Sequence, residues 1–216
     1  MPEKQVTSKH RVMAHGEVFT HSREVNAMLD LVKQETERID SRFLEPACGT
    51  GNFLTEVLER KMRVVSRNYA NSQLQYERYA VLAVTSIYGI DILQDNVEEC
   101  KARLFGIVDR EYTSFFGNET KPEFRRTVKF ILSRNIVWGD ALTLKTVGEV
   151  PQPIIFSEWS AMNGSLKRRD FSFKELISQA SMQDLPLFSD LGEEVFIPTP
   201  VREFPLVHFL KVADAE

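Results

Sequence analysis

The segment Glu45-Pro46-Ala47-Cys48-Gly49-Thr50-Gly51-Asn52-Phe53 holds the residue types and spacing that point most directly to chemistry. It follows the apolar pair Phe43-Leu44 and precedes a helical segment, so it reads as a strand-to-helix turn. Glycines at 49 and 51 permit a tight turn and let a ligand approach the backbone closely. The helix behind the turn offers free N–H groups at its start. Two further acids end apolar runs, Asp91 in Tyr88-Gly89-Ile90-Asp91-Ile92 and Asp140 in Trp138-Gly139-Asp140-Ala141-Leu142. A carboxylate at such a strand end can accept both hydrogen bonds of a ribose diol, as in doubly wound nucleotide sites. Taken singly, each feature is equally an ordinary turn or a solvated strand end. The dinucleotide fingerprint G-x-G-x-x-G is absent because residue 54 is Leu, and no Walker P-loop occurs.

These residues need elements to position them. Val25, Met28, Leu29, Leu31 and Val32 recur at helical spacing after Ser22. Residues 61–79 read as a helix or helical connection, and 80–92 as a helix end feeding a strand at 88–92. A helix is expected over 95–105, a mixed connection over 106–127, then a further helix and strand up to Leu142. Pro153-Ile154-Ile155-Phe156 begins one more strand. Strands alternating with helices predict a mostly parallel α/β sheet. Asn163-Gly164 between strand-like runs predicts a hairpin. Pro198, Pro200 and Pro205 confine any later strand to an edge or to residues beyond 205. The expected fold is therefore α/β, with a parallel sheet closed by an antiparallel C-terminal hairpin. One domain over 1–216 is expected, with 1–14 flexible and 15–40 forming an N-terminal closing segment and helix.

FLEPACGTGNFL resembles the S-adenosylmethionine-binding signature of adenine-specific DNA methyltransferases, commonly D/E-P-A-C-G-S/T-G-x-F. The resemblance covers about residues 15–145 and is similar to the arrangement in modification subunits of type I restriction systems. It implies a Rossmann-like methyltransferase sheet and S-adenosylmethionine as cofactor. In that family the glycines pass under the methionine part of the cofactor, and the acid matching Glu45 lies near its cationic end. By the same resemblance Glu45, Pro46, Ala47, Gly49, Gly51 and Phe53 form the cofactor turn. Asp91 and Ile92 would meet the ribose, and Asp140 and Ala141 the adenine. Gly16-Glu17-Val18-Phe19-Thr20 resembles the family's closing element, with Phe19 and Thr20 over the methionine part and His21 where proline is usual.

The family's catalytic Asn/Asp-Pro-Pro-Tyr/Phe tetrad does not occur. Its place, after Phe156, is taken by Ser157, Glu158, Trp159 and Ser160. A flipped adenine needs an acceptor for its amine and an aromatic ring to stack on it. Ser157 or Glu158 could accept and Trp159 could stack; alternatively Trp159 packs on the sheet and Glu158 is solvated. The 56 residues after Ser160 are expected to be too few for both the remaining sheet and a separate target-recognition domain. Two readings follow: a methyltransferase of the DNA adenine type in a restriction–modification or defence system, or a catalytically silent S-adenosylmethionine-binding subunit or scaffold. A protein, RNA or small-molecule acceptor is a further alternative, since fold does not determine the acceptor.

Composition frames these readings. The chain has 216 residues, 43% hydrophobic and 27% charged, which excludes a disordered tail. The net charge of −4 counts mildly against unaided nucleic-acid binding, so DNA would be gripped with a separate specificity subunit or domain. Basic groups at Lys167-Arg168-Arg169 and at Lys121, Arg125, Arg126 and Lys129 are the places where phosphates could bind, or else solvated faces. Two cysteines exclude a disulfide framework, and Cys48 is read as a packing residue. The four histidines show no metal spacing. No apolar run reaches membrane-spanning length and no signal sequence is visible, so a cytoplasmic location is expected, with a homo-oligomer left open.

Overall fold

Three short parallel strands, each ending in or beside one of the acids Glu45, Asp91 and Asp140, organise the chain. The computed structural model describes residues 20–177 and 199–215. Helices α1 (Ser22–Asp30) and α2 (Lys33–Thr36) precede β1 (Phe43–Glu45). Then come α3 (Asn52–Tyr69), α4 (Gln73–Thr85), β2 (Ile87–Asp91), α5 (Gln94–Phe116), α6 (Pro122–Asn135) and β3 (Ile136–Asp140). A two-residue β4 (Lys145–Thr146) completes a four-stranded sheet in the order β1-β2-β3-β4, parallel except for the last pair. The register pairs Glu45 with Gly89 and Asp91 with Trp138, so Glu45, Asp91 and Asp140 lie in a stepped row at the carboxyl ends.

The long spacing from Gly51 to Asp91 is filled by α4, as the polar stretch 61–79 implies. Helix α5 runs eleven residues past its expected end at Phe105. Ile107, Val108 and Tyr112 continue the buried stripe of Val97, Cys100 and Leu104. Gly106 meets open space, and termination waits for Gly117 at φ +49°.

The antiparallel hairpin does not close the parallel sheet; it forms a second one. Strands β5 (Ile155–Met162) and β6 (Ser165–Ser172) are joined by Asn163 and Gly164, both at positive φ (48° and 80°), as a type I′ turn requires. β7 (Arg202–Glu203) and β8 (Val207–His208) pair with β6, one between the late prolines and one after Pro205. The position of Gly89 faces Leu54 of α3, so the neighbouring Tyr88 points to the opposite face of the sheet. There its hydroxyl donates to the Ser157 carbonyl (2.9 Å) and its ring meets Phe156 edge-on. Thus the second sheet packs against a face of the first instead of extending its edge. Among the described residues, no helix is long and apolar enough to cross a membrane.

Candidate functional site

The turn over residues 45–53 is held by hydrogen bonds to β2, from α5 and within itself. The Cys48 N–H donates to the Ile90 carbonyl (2.9 Å) and the Gly51 N–H to the Cys48 carbonyl (2.8 Å). Gly49 and Gly51 both take left-handed backbone, at φ +51° and +85°. A Cβ at Gly51 would lie 2.6 Å from Cys100 Sγ, so packing as well as φ demands glycine there. Arg103 of α5 clamps the turn from outside, donating to the Thr50 carbonyl (2.7 Å), Thr50 Oγ1 (3.1 Å) and Asn52 Oδ1 (2.8 Å). Asn52 Nδ2 in turn donates to the Thr20 carbonyl (3.2 Å), which brings the end of the N-terminal segment to the start of α3. Residues 16–19 of the proposed closing element, Phe19 included, lie outside the described residues.

Asp91 is buried and already engaged. One carboxylate oxygen accepts from the Gly49 N–H (2.8 Å); the other accepts from the Leu93 N–H (2.9 Å) and Asn96 Nδ2 (3.2 Å). Of the roughly four acceptor positions on a carboxylate, about one remains. Asp91 therefore staples the β1 turn to the β2–α5 turn, and a ribose diol could not place both hydroxyls on it.

Glu45 is the contrasting acid. Among the described residues its Oε2 is buried with no hydrogen-bond donor. Burial, and then the neighbouring Asp91 carboxylate, push its carboxyl up to about 7. A buried acceptor without a donor is costly. Pro46, Ala47 and Ile92 are exposed beside this acid pair, while Phe53 and Ala141 pack partly against the core. Asp140 sits in a turn of its own: its oxygens accept from the Leu142 N–H (2.8 Å) and Thr143 Oγ1 (3.0 Å), which hold its carboxyl below the usual range. Cys48 is buried; its hydrogen bond with Cys100, together with burial, pushes its thiol up, away from nucleophilic character.

Ser157, Glu158 and Trp159 do not join this row. They lie on β5, which pairs with β6 and not with β1. Ser157 is buried in a network in which its hydroxyl donates to Asp170 Oδ1 (2.7 Å) and accepts from Arg168 Nε (3.0 Å). Glu158 is held between Arg42 (2.8 Å) and Arg169 (2.7 Å) rather than left to solvent. Trp159 is buried, donating to Asn135 Oδ1 (3.0 Å), with Phe130 edge-on to its ring.

The basic groups are likewise paired internally. Lys167 binds Glu203, Arg168 binds Asp170 and Arg169 binds Glu158, all at 2.7 Å. Lys121 meets Glu77, Arg125 meets Asp109, Arg126 meets Asp214, and Lys129 lies over Phe105.

Asn96, Cys100 and Arg103 also shape the site, although they belong to no sequence motif. They recur at i, i+4 and i+7 on α5, one helix face. That spacing, set against the turn, is the signal the sequence offers for them. Compared with known proteins, the chain matches no family model, no curated protein and no solved structure.

Proposed function

We propose that this chain binds S-adenosylmethionine at the carboxyl ends of β1, β2 and β3, as the cofactor-holding part of a DNA adenine methyltransferase. A restriction–modification or defence system, in the cytoplasm and with a separate DNA-specificity partner, is the setting this reading implies. The observation that carries it is Glu45 Oε2, a buried carboxylate oxygen without a donor among the described residues, at the entrance of a turn whose glycines hold left-handed backbone. A cationic ligand group supplies what that oxygen lacks. The row of acids at the carboxyl ends of three parallel strands supports the reading, because ligands of open α/β sheets lie outside those ends.

On this reading Glu45 holds the ammonium of the methionine part, and the turn around Gly49 and Gly51 receives its chain. Asp91 positions the turn and offers about one acceptor to the ribose. Asp140 accepts from the adenine amine, with Ile92 and Ala141 beside the ring. Bound there, S-adenosylmethionine would supply a methyl group activated by its sulfonium. The internal commitments of Ser157, Glu158 and Trp159 favour the second reading for the acceptor half: cofactor binding here, with acceptor residues from a partner.

Calorimetric titration with S-adenosylmethionine tests the binding half. Saturable binding that weakens at least tenfold in both Glu45→Gln and Asp140→Asn supports it; absence of binding to the wild type refutes it. Asp91→Ala is a poor probe, because it would also release the turn. Methyl transfer to mixed DNA by the chain alone, abolished in Ser157→Ala with its fold intact, would restore the catalytic role of β5.

A further inference from the structure

Resting on the cofactor reading, the surroundings of Glu45 carry a consequence for regulation. Among the described residues its Oε2 is buried and meets no donor, while the adjacent Asp91 has its oxygens taken up by Gly49, Leu93 and Asn96. The two acids thus differ in what stabilises their charge. Asp91 is met by three N–H donors; the Oε2 of Glu45 faces that carboxylate with no donor among the described residues. An isolated buried charge of this kind is avoided by taking up a proton. A ligand cation reverses the balance, because it stabilises only the ionised form.

We propose that the cationic group of the ligand displaces the proton of Glu45, so that binding releases a proton and weakens as the pH falls below neutrality. The site thereby reports pH through occupancy: it fills near neutral pH and empties in acid. The carboxyl, pushed up to about 7, places the transition within the physiological range.

The other charged or titratable groups around Glu45 have commitments of their own. From β2 comes Asp91, which accepts three donors. Cys48 from the turn and Cys100 from α5 are buried thiols in contact with each other. Arg103 is occupied by Thr50 and Asn52 on the outer side of the turn. Asp140 lies two strands away, and His21 stands at the N-cap of α1, next to Thr20, whose carbonyl meets Asn52 of α3. None of them combines burial with an undonated carboxylate oxygen, and His21 is separated from Glu45 in the test by substitution.

The test uses the full chain. Carbon-13 NMR of the Glu45 carboxyl in the free protein reads its titration directly. Calorimetry with S-adenosylmethionine between about pH 5.5 and pH 7.5, in two buffers of different ionisation enthalpy, counts protons, below the range where an α-amino group loses its own (about 7.7–8.0). Expected are a carboxyl midpoint near 7, affinity roughly eightfold weaker at pH 6 than at pH 7.5, and release of about one proton per ligand at pH 6. Glu45→Gln should bind more weakly and with no pH slope over this range. A midpoint near 4, a flat affinity profile, or a slope that survives in Glu45→Gln overturns the proposal while leaving cofactor binding intact. Absence of S-adenosylmethionine binding at every pH removes the cofactor reading and this coupling with it, even if the carboxyl titrates near 7.

Discussion

Replacing Glu45 by Gln should make the free protein more stable, although it removes a group assigned to binding. The carboxyl rises from its ordinary 4.5 to about 7 on folding, through burial and then through Asp91. The native state therefore binds more protons than the unfolded state between those values, and stability falls as the pH rises through that window. Above about pH 7 the penalty is fully developed; below the unfolded value it vanishes. Every pH unit between the two values is worth about 1.4 kcal/mol, which puts the ceiling at about 3 kcal/mol; the residual exposure of Glu45 brings the expected gain to about 1–3 kcal/mol. Gln keeps the shape, removes the charge and brings an N–H₂ toward Asp91. Urea unfolding followed by the fluorescence of Trp138 and Trp159 at several pH values reads the effect directly. Glu45→Gln should exceed the wild type near pH 8 and converge with it near pH 4. Equal or lower stability near pH 8, with an unchanged urea dependence, would mean that Glu45 has a donor in solution and would refute the reasoning.

Four other substitutions probe the supports of the site and of the fold around it. Asp91→Ala strips acceptors from the Gly49 and Leu93 N–H groups and from Asn96, and should cost about 3–5 kcal/mol in urea unfolding. A loss below about 1 kcal/mol would show that water replaces the carboxylate there. Gly51→Ala combines left-handed backbone with an approach to Cys100 Sγ, and should cost about 2–4 kcal/mol. Cys100→Ala in the same chain should return part of that, about 1 kcal/mol of coupling in a double-mutant cycle, whereas simple additivity would rule out the contact. Lys61 is fully buried, donating to the carbonyls of Arg38, Ile39 and Ser41 and to Ser86 Oγ, and burial lowers its ammonium to about 7. Its unfolded form holds the proton up to about 10.4, so stability should rise with pH between those values by at most about 1.4 kcal/mol per pH unit. Lys61→Met should flatten that slope in alkaline urea titrations, and an unchanged slope would place its origin elsewhere.

The legible parts of this molecule are those decided by local chemistry. Asn163-Gly164 fixes its hairpin because only a few residues tolerate two successive positive φ values. The turn around Gly49 and Gly51 and the acids ending β1, β2 and β3 are visible because strand ends and glycine turns are local patterns. Helix α5 is only half visible: the expected helix ends at Phe105, although a Cβ at Gly106 would meet open space and the buried stripe runs on to Tyr112. The fate of charged residues depends on distant partners and is hidden. Ser157 reads as an acceptor for a flipped base and Arg168 as part of a basic face, yet β5 and β6 turn both inward onto Asp170. Lys61 looks like part of a solvated helix face, but four acceptors around it make burial tolerable. Asp91 has the right position for a ribose, while its donors come from two turns more than forty residues apart in the chain. Seating of the hairpin on a sheet face is set by Tyr88, Phe156 and Trp159, whose long-range contacts no periodicity reveals.

The central claim is that the carboxyl ends of β1, β2 and β3 receive S-adenosylmethionine. Amide nitrogen–proton NMR spectra recorded during a titration with this ligand near neutral pH test it residue by residue. The account predicts saturable shifts of the Gly49, Gly51, Ile92 and Leu142 amides, with those of β5 and β6 little changed. Unperturbed turn amides at saturating ligand, or shifts confined to the second sheet, would contradict it.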